Sequence, residues 1–245
     1  FLVFFISFLF PVLQMLYWTV IFPKHLADLN LVELFSNTII LVFLSSIVLI
    51  GFAFISNYGN RLSRSKFREI LTTFSISGYA IPGIILAVAF ITFISWLDNS
   101  IINLFEIDNI KSIFIGSILG LVVVYFIRFF SLASNGLKSG YLKINYSIDE
   151  SAYLLGYSKF KTFKNIHIPY LKNTIMLIGI LIAIEIIKEL PITLIMRPFN
   201  FETFATQAYI YASQDLLEAA AAPSLFLILI ASFFILITSR YILKD

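Results

Sequence analysis

Long apolar runs constrain this chain most, because each of them is long enough to form a helix that crosses a lipid bilayer. The hydrocarbon core of a bilayer is about 30 Å thick and takes about 20 apolar residues of α-helix. Such runs lie at 1–22, 34–56, 70–97, 112–130, 171–190 and 223–239. Charged residues are only 13% of the chain, against about 25% in soluble domains. The sequence therefore predicts an all-α membrane protein with six transmembrane helices.

Basic residues in the connecting loops predict the orientation, because cytoplasmic loops carry the excess of Lys and Arg. One set of loops holds twelve of them, at Arg61, Arg64, Lys66, Arg68, Lys138, Lys143, Lys159, Lys161, Lys164, Lys172, Arg240 and Lys244. The opposite set holds three, at Lys24, Lys111 and Arg197. We therefore predict that the first set is cytoplasmic. The net charge of +3 then follows from topology and indicates no nucleic-acid partner.

A polar segment at Ser147–Pro169 interrupts the apolar runs on the predicted cytoplasmic side. Ser147 and Glu150 fit the S-x-x-E capping box, in which each side chain binds a free amide at a helix start. This pattern predicts a short helix that begins at Ile148. An ordinary amphipathic loop at the membrane interface would fit the same spacing.

The rest of that segment predicts a hinge between two short helices. Ile148, Ala152 and Leu155 recur at i, i+4 and i+7, so they are expected to form one apolar stripe. Gly156 is predicted to end the first helix in the left-handed conformation. Ser158 is predicted to cap a second helix that runs to the next apolar run.

This segment resembles the EAA loop of ABC importer permeases, whose pattern is E-A-A-x-x-x-G followed by a later Pro. Glu150, Ala152, Gly156 and Pro169 match the pattern, and Ser151 stands where the family has Ala. In that family the loop docks in a groove of the ATPase subunit. We call the segment 147–169 the docking loop.

Four further stretches resemble one branch of these permeases, those of ferric-iron importers. They are Phe10–Trp18, Gly78–Gly83, Tyr125–Phe130 and the long run KELPITLIMRPFNFETFATQAYIYASQDLLEAAAAPSL at Lys188–Leu225. The resemblance implies a bundle like that of type I ABC importer permeases. It also implies partners: ATP-hydrolysing subunits, a periplasmic or lipid-anchored iron-binding protein and a second permease half.

The same resemblance implies how the chain is organised and what it does. Residues 1–245 are expected to form a single transmembrane permease domain, which resembles the second six-helix half of a longer chain, consistent with the missing initiator Met. The expected function is a non-enzymatic subunit in the cell inner membrane that forms the pathway for ferric iron, with no cofactor. ATP-driven movement of the docking loop is expected to switch the bundle. The residues implied in coupling are Glu150, Ser151, Ala152, Leu155, Gly156 and Pro169.

Three charged residues lie near the end of the fifth run and are candidate pathway contacts. Glu185, Lys188 and Glu189 are spaced i, i+3 and i+4, which predicts one shared helical face with a net charge of −1. Charges within a membrane span face protein or water rather than lipid. Hard cations prefer oxygen ligands, so such a face would suit ferric iron. The alternative is that the three side chains snorkel or pair near the outer surface.

Glycine patterns in the third and fourth runs predict where helices break or approach closely. Gly78, Pro82 and Gly83 interrupt an apolar span, which is tolerated where protein or a water-filled cavity satisfies the backbone. This helix is therefore expected to lie centrally, along the pathway or in close helix packing. Gly116 and Gly120 form a small-xxx-small pair that predicts close packing of the fourth helix.

The remaining polar residues predict anchoring rather than chemistry. Arg128 is expected at the cytoplasmic end of the fourth helix, and Asp98 in a solvated external loop. The chain has no cysteine, and its two histidines, His25 and His167, fall in loops on opposite sides of the membrane. The sequence therefore predicts neither a catalytic cluster nor a metal site.

Two other classes of function remain open at this stage. A secondary transporter would use intramembrane carboxylates such as Glu185 and Glu189 and need no ATPase, and the docking loop disfavours it. A membrane-embedded enzyme would need convergent polar groups at one depth. Within the importer class, thiamine, phosphonate and oxyanion permeases are alternatives to ferric iron.

Overall fold

The computed structural model describes residues 2–62, 70, 72–75, 77–105 and 114–242, with the side chains of 241 and 242 excepted. Within those ranges the chain is helical, with turns and short connections between the helices. Five basic residues that the orientation prediction uses fall outside the described residues, at positions 64, 66, 68, 111 and 244. The all-α prediction is confirmed.

Eleven helices are labelled in chain order within the described part of the chain. They are α1 Leu2–Ile21, α2 Pro23–Ala27, α3 Leu31–Leu62, α4 Gly83–Phe105, α5 Ile118–Tyr141, α6 Tyr146–Leu154, α7 Lys159–Tyr170, α8 Lys172–Ile187, α9 Pro191–Met196, α10 Phe204–Ser213 and α11 Leu217–Ile242. A π-helical turn interrupts α1 just before Pro11, and another lies within α7.

Five of these helices, α1, α3, α4, α5 and α11, are long and apolar enough to cross a membrane. The sixth span exists only if α7 and α8 count as one, and a bend of 70° separates them. With 16 residues, α8 is about 24 Å long, which is short of a full bilayer core. The predicted fifth transmembrane helix is therefore a short helix that α9 continues after a break.

Helix α5 occupies the centre of the bundle. Its inward face carries Leu121, Tyr125 and Phe129, which are fully buried, and α3 and α8 both pack against it and against each other. Leu49 of α3 and Ile182 of α8 belong to the same apolar cluster. In membranes such packing and interhelical hydrogen bonds hold helices together, because lipid is as apolar as the core.

Helix α5 continues eleven residues past the end predicted for it, which changes the position of Arg128. The polar stretch after Phe130 suggested a loop, yet it is helical, and Ser131 and Ser134 within it are buried. Ser134 is buried and accepts a hydrogen bond from Asn57 of α3 at 3.3 Å. Arg128 therefore lies near the middle of the helix rather than at a cytoplasmic boundary.

The predicted break around Gly78 is present. A 3-10 turn at Ser77–Ala80 precedes α4, which begins only at Gly83. A Cβ atom at Gly78 would lie 2.0 Å from the carbonyl oxygen of Ile127, so the turn contacts the backbone of α5. This contact confirms the central, close-packed position predicted for the break.

Asp98 lies inside α4 and is buried, so the prediction of a solvated external loop is wrong at this residue. Its carboxylate accepts hydrogen bonds from the amides of Phe114 and Ile115, each at 3.2 Å. Those amides precede α5, whose first turn a negative charge stabilises. The carboxylate thus joins the two helices.

Close packing on α5 occurs at a different glycine pair from the one predicted. Gly116 lies in a turn before the helix with φ +66°, and Gly120 is crowded by its own chain at Phe114. At Gly136 an added Cβ would lie 2.7 Å from Ile178, and at Gly140 it would lie 2.8 Å from Leu171. This second pair brings the backbone of α5 against α8.

Replacing Gly140 with leucine is expected to lower the stability of the protein, because the new side chain would overlap the α8 side of the interface. Overpacking of this kind costs about 1–3 kcal/mol. Gly51 on α3 is the matched control, since nothing lies within 4 Å of a Cβ added there. Thermal unfolding in detergent measures both variants. An equal melting temperature for Gly140→Leu and Gly51→Leu would contradict the packing.

Candidate functional site

The docking loop begins with α6, which starts two residues earlier than predicted. Asn145 is the N-cap residue, and its side chain accepts a hydrogen bond from the amide of Ser147 at 3.3 Å. Ser147 therefore lies inside the first turn, so the capping box proposed for Ser147 and Glu150 is wrong. Both Ser and Asn satisfy helix-start amides well, and spacing alone does not choose between them.

The end of α6 has the predicted conformation. Gly156 has φ +81°, in the left-handed region that glycine adopts without a steric penalty. Its amide donates to the carbonyl of Tyr153 at 2.9 Å, and the amide of Tyr157 donates to the carbonyl of Ala152 at 3.0 Å. These two bonds form a Schellman motif, which fixes the angle at which the chain leaves the helix.

Helix α7 starts where the sequence predicted a second helix. The Ser158 side chain accepts from the amide of Lys161 at 3.3 Å and caps it. The helix passes through the π-helical turn Phe163–His167 and includes Pro169 in its last turn. The chain bends at Leu171, two residues after the proline, and then enters α8.

Large apolar side chains are exposed at the tip of the docking loop. Leu154, Leu155 and Phe160 are 89%, 78% and 72% exposed. Ala152 is buried against its own chain, and Ile148 is half-buried. The predicted stripe is therefore divided: its first two members pack inward, and Leu155 joins an exposed apolar tip made of Leu154, Leu155 and Phe160.

A buried ion pair holds α6 against the end of α3. The Asp149 carboxylate accepts from Nε of Arg61 at 2.7 Å and also lies 2.6 Å from a terminal guanidinium nitrogen. The side chains of Arg61 and Asp149 are only 6% and 10% exposed. Arg61 also donates to the carbonyl of Asn145 at 2.9 Å, and its guanidinium lies over the ring of Tyr146 at 4.3 Å. Such two-point binding is typical of arginine.

His167 of α7 completes this junction. Its Nε2 is 2.7 Å from the second oxygen of Asp149, and its ring lies between those of Tyr58 and Tyr141. Burial lowers the pKa of His167, and the hydrogen bond and charge of Asp149 oppose that shift. We call Arg61, Asp149 and His167 the charged junction.

The charged junction was not predicted from the sequence. Arg61 was counted among the basic residues of the loops, His167 was left in a loop, and Asp149 was not singled out. Arg61 and Asp149 are 88 positions apart in the sequence, a separation that leaves no periodic signal. The available clue was that Asp149 directly precedes Glu150 in the first turn of a short helix. One of two adjacent carboxylates in such a turn is free to face the protein.

A second ion pair lies in the middle of the bundle. Nε of Arg128 on α5 is 3.5 Å from the Glu189 carboxylate, which follows the end of α8. Arg128 also donates to the carbonyl of Ile81 at 2.7 Å, and Glu189 accepts from the amide of Ile192 at 3.3 Å. A Cβ atom at Gly83 would lie 2.8 Å from Glu189. The pair thus joins the two places where membrane-spanning helices are broken.

The three charges near the end of α8 do not share one face, so that prediction is wrong. Helix α8 ends at Ile187, and Glu189 turns away towards Arg128. Lys188 pairs with Glu185 at 2.7 Å, and its side chain is 55% exposed. Each carboxylate therefore has a cationic partner, and the expected net charge of −1 is neutralised.

In the described ranges no group of three or more His, Cys, Asp or Glu side chains is placed to hold a metal ion. The described chain therefore offers paired charges rather than a cluster of ligands.

Comparison with a family model identifies the larger group to which these features belong. The model described as binding-protein-dependent transport system inner membrane component matches residues 49–244. The matched region runs from the second half of α3 to α11 and contains both ion pairs.

Known proteins show distant similarity along the whole chain. The Fe(3+)-transport system permease protein FbpB 2 of Haemophilus influenzae is 19% identical over 237 residues, which cover 96% of this chain and 44% of that protein. The chain thus spans less than half the length of this curated relative. A bacterial alginate ABC transporter, solved with a periplasmic protein carrying an alginate pentasaccharide, has a chain with TM-score 0.77 and 16% identity. That match covers 98% of this chain and 90% of the other.

A second solved structure shares the same fold. It is a bacterial ABC transporter involved in import of the acidic polysaccharide alginate, with TM-score 0.72, 18% identity, and coverage of 98% and 91%. These two likenesses establish the type I permease fold that the sequence predicted.

Proposed function

Since this chain belongs to the family of binding-protein-dependent transport system inner membrane components, we propose that it is the permease subunit of an ATP-driven importer. Membership in the family makes it a transport subunit rather than an enzyme. The proposed partners are ATP-binding cassette subunits, a substrate-binding protein and a second permease half, in the lipid bilayer of the inner membrane.

The observation that carries this proposal is the exposed apolar tip on a rigidly held docking loop. Leu154, Leu155 and Phe160 project from two short helices whose ends are fixed by the Gly156 motif and the Ser158 cap. Exposed apolar patches on a fixed support mark interaction sites. If a groove in an ATPase subunit covers this tip, movement of that subunit displaces α6 and α7.

Individual residues of the docking loop then take distinct parts in coupling. Ala152 packs the loop onto its own chain, whereas Leu155 meets the partner. Gly156 sets the angle between α6 and α7, and Ser151 and Glu150 lie on the exposed side of α6. Pro169, which belongs to the same family pattern, precedes the bend into α8.

We place the docking loop in the cytoplasm, with the outer ends of α3 and α11 on the opposite side. The excess of basic residues in the loops on this side supports the orientation. The pathway is proposed to run beside the broken helices, where Arg128 and Glu189 meet. Lys188 and Glu185 lie next to them and are partly exposed, and charges at such positions face water or protein rather than lipid.

Ferric iron is the substrate we propose, and this proposal rests on sequence similarity. The curated relative is an Fe(3+)-transport permease, and the run Lys188–Leu225 resembles that branch. Local charge adds no support, because Glu185 and Glu189 are both paired. Thiamine, phosphonate and oxyanions therefore stay as alternative substrates.

Uptake of radiolabelled ferric iron tests this function in cells that carry the complete transporter. Wild-type cells are expected to accumulate iron in an ATP-dependent manner. The inactive control is the Gly156→Arg variant. Arginine has a Cβ atom, so adopting φ +81° at this position costs about 1–2 kcal/mol. Its bulk would also obstruct docking, so transport should fall to background while the protein stays inserted.

Three outcomes would count against parts of the proposal. Accumulation of thiamine or an oxyanion without iron would refute the substrate. Uptake that follows an ion gradient and persists without ATP would instead support a secondary transporter. Wild-type uptake in the Gly156→Arg variant would remove the docking loop from the mechanism.

A further inference from the structure

Helix α3 is held at its cytoplasmic end by directional polar contacts to the docking loop. Arg61 pairs with Asp149 of α6, and the Tyr58 hydroxyl donates to the carbonyl of Lys159 in α7 at 2.6 Å. The two docking helices are therefore attached to the same end of α3, each by its own contact.

The opposite end of α3 is bound to a second ordered segment, Arg197–Thr206, which we call the outer segment. Asn37 donates to the carbonyl of Glu202 at 3.0 Å, and Thr38 accepts from the amide of Phe204 at 3.5 Å. The outer segment is itself fixed by the ion pair between Arg197 and Glu202 and by the capping box of α10.

Between these two ends α3 is one uninterrupted helix of 32 residues that contains no proline. At about 1.5 Å of rise per residue, Asn37 and Arg61 are about 36 Å apart along its axis. Its middle packs mainly through apolar side chains such as Leu41, Leu49 and Ala53, and Asn57, close to the Arg61 end, donates to Ser134 of α5. Apolar contacts tolerate small sliding movements, whereas an ion pair and hydrogen bonds at both ends fix the axial position of the helix.

From these contacts we propose that α3 carries movement of the docking loop to the outer segment as a rigid rod. Arg61 and Asn37 are the positioning residues at its two ends. The inference rests on the proposed function, because the movement originates in the ATPase that grips the docking loop. If the helix carries the movement, a change at either end alone interrupts it, so the two ends are tested independently.

Phe199 provides the reporter for that test. It lies in the outer segment and is fully exposed, and the chain has no natural cysteine, so Phe199→Cys gives one label site on this chain. A nitroxide is attached there in the complete transporter, reconstituted with cysteine-free partner chains. Spectra are compared before and after trapping with ATP and vanadate. In the otherwise unaltered chain, the spectrum is expected to change on trapping.

Arg61→Gln and Asn37→Leu are each expected to abolish that change, although they lie at opposite ends of α3. Their controls are Lys138→Gln at the end of α5 and Ser36→Ala beside Asn37, both exposed positions that should retain the full response. Arg61→Lys keeps the charge facing Asp149 and is expected to restore most of the response. The nucleotide-free spectra of all variants must match, which excludes a simple loss of order at the label.

ATP hydrolysis by the same samples distinguishes a loss of transmission along α3 from a loss of coupling to the ATPase. Normal hydrolysis with a lost spectral response at residue 199 supports transmission by α3. A normal response in Arg61→Gln or Asn37→Leu overturns it. If Arg61→Gln does not assemble, Asn37→Leu decides the question alone. If the unaltered chain does not bind an ATPase at all, the proposed function fails, and the rod fails with it.

Discussion

Replacing Glu189 with glutamine is expected to lower the stability of the folded protein by about 3–5 kcal/mol, because it leaves the Arg128 guanidinium without its counter-ion in the middle of the bundle. Glutamine keeps the shape of the side chain and its capacity to accept from the Ile192 amide. The change therefore isolates the charge. Thermal unfolding of the detergent-solubilised transporter measures it as a large fall in melting temperature.

The control for this variant is Glu185→Gln, which removes a carboxylate four positions earlier in the chain. Its partner Lys188 is largely exposed, and exposed pairs contribute only about 0–1 kcal/mol. Adding Arg128→Met to Glu189→Gln should recover most of the lost stability, since no unpaired charge then remains. Equal melting temperatures for Glu185→Gln and Glu189→Gln would show that the Arg128–Glu189 pair stabilises the protein no more than an exposed ion pair does.

The sequence predicted local features of the docking loop well, because capping depends on a few adjacent residues. Gly156 and Ser158 were assigned correctly, since a left-handed residue and an N-cap are each determined within one turn of helix. The N-cap predicted for the first helix of the docking loop was wrong, because adjacent residues alone do not choose between two suitable caps. Asn145 and Ser147 are both good caps two residues apart, and only the position of the helix on α3 selects Asn145.

Long-range pairs could not be predicted from spacing. Glu189 was grouped with Glu185 and Lys188, because a continuous helix would place the three together. The helix ends at Ile187, so Glu189 instead meets Arg128, which lies 61 positions earlier in the sequence. The number of charges was available from the sequence, but their pairing depends on where each helix stops.

Glycine spacing was ambiguous on α5, because the helix region contains the small-xxx-small pattern twice. The pair at Gly116 and Gly120 lies at the start of the element, whereas Gly136 and Gly140 face α8. The predicted end of the helix excluded the second pair from consideration. An error of eleven residues at one boundary thus moved both the packing site and the position of Arg128.

Replacing Leu155 with aspartate is expected to abolish transport, because the charge would have to enter the apolar groove proposed to cover the tip of the docking loop. Substitutions at the centre of an interface cost on the order of 2–4 kcal/mol of binding free energy. The affinity for the ATPase subunit should therefore fall by about 30-fold or more. Leu155 is 78% exposed in this chain, so the permease itself should insert and fold normally.

Leu142 supplies the matched control for that charge. It is 81% exposed in the turn between α5 and α6, on the same side of the protein but outside the docking loop. Leu142→Asp should keep both ATPase binding and transport, measured by co-purification and substrate uptake. If Leu142→Asp were as damaging as Leu155→Asp, the effect would reflect added negative charge on this side. If Leu155→Asp transported normally, the exposed tip would not be the surface that the ATPase grips, and coupling would have to enter the chain elsewhere.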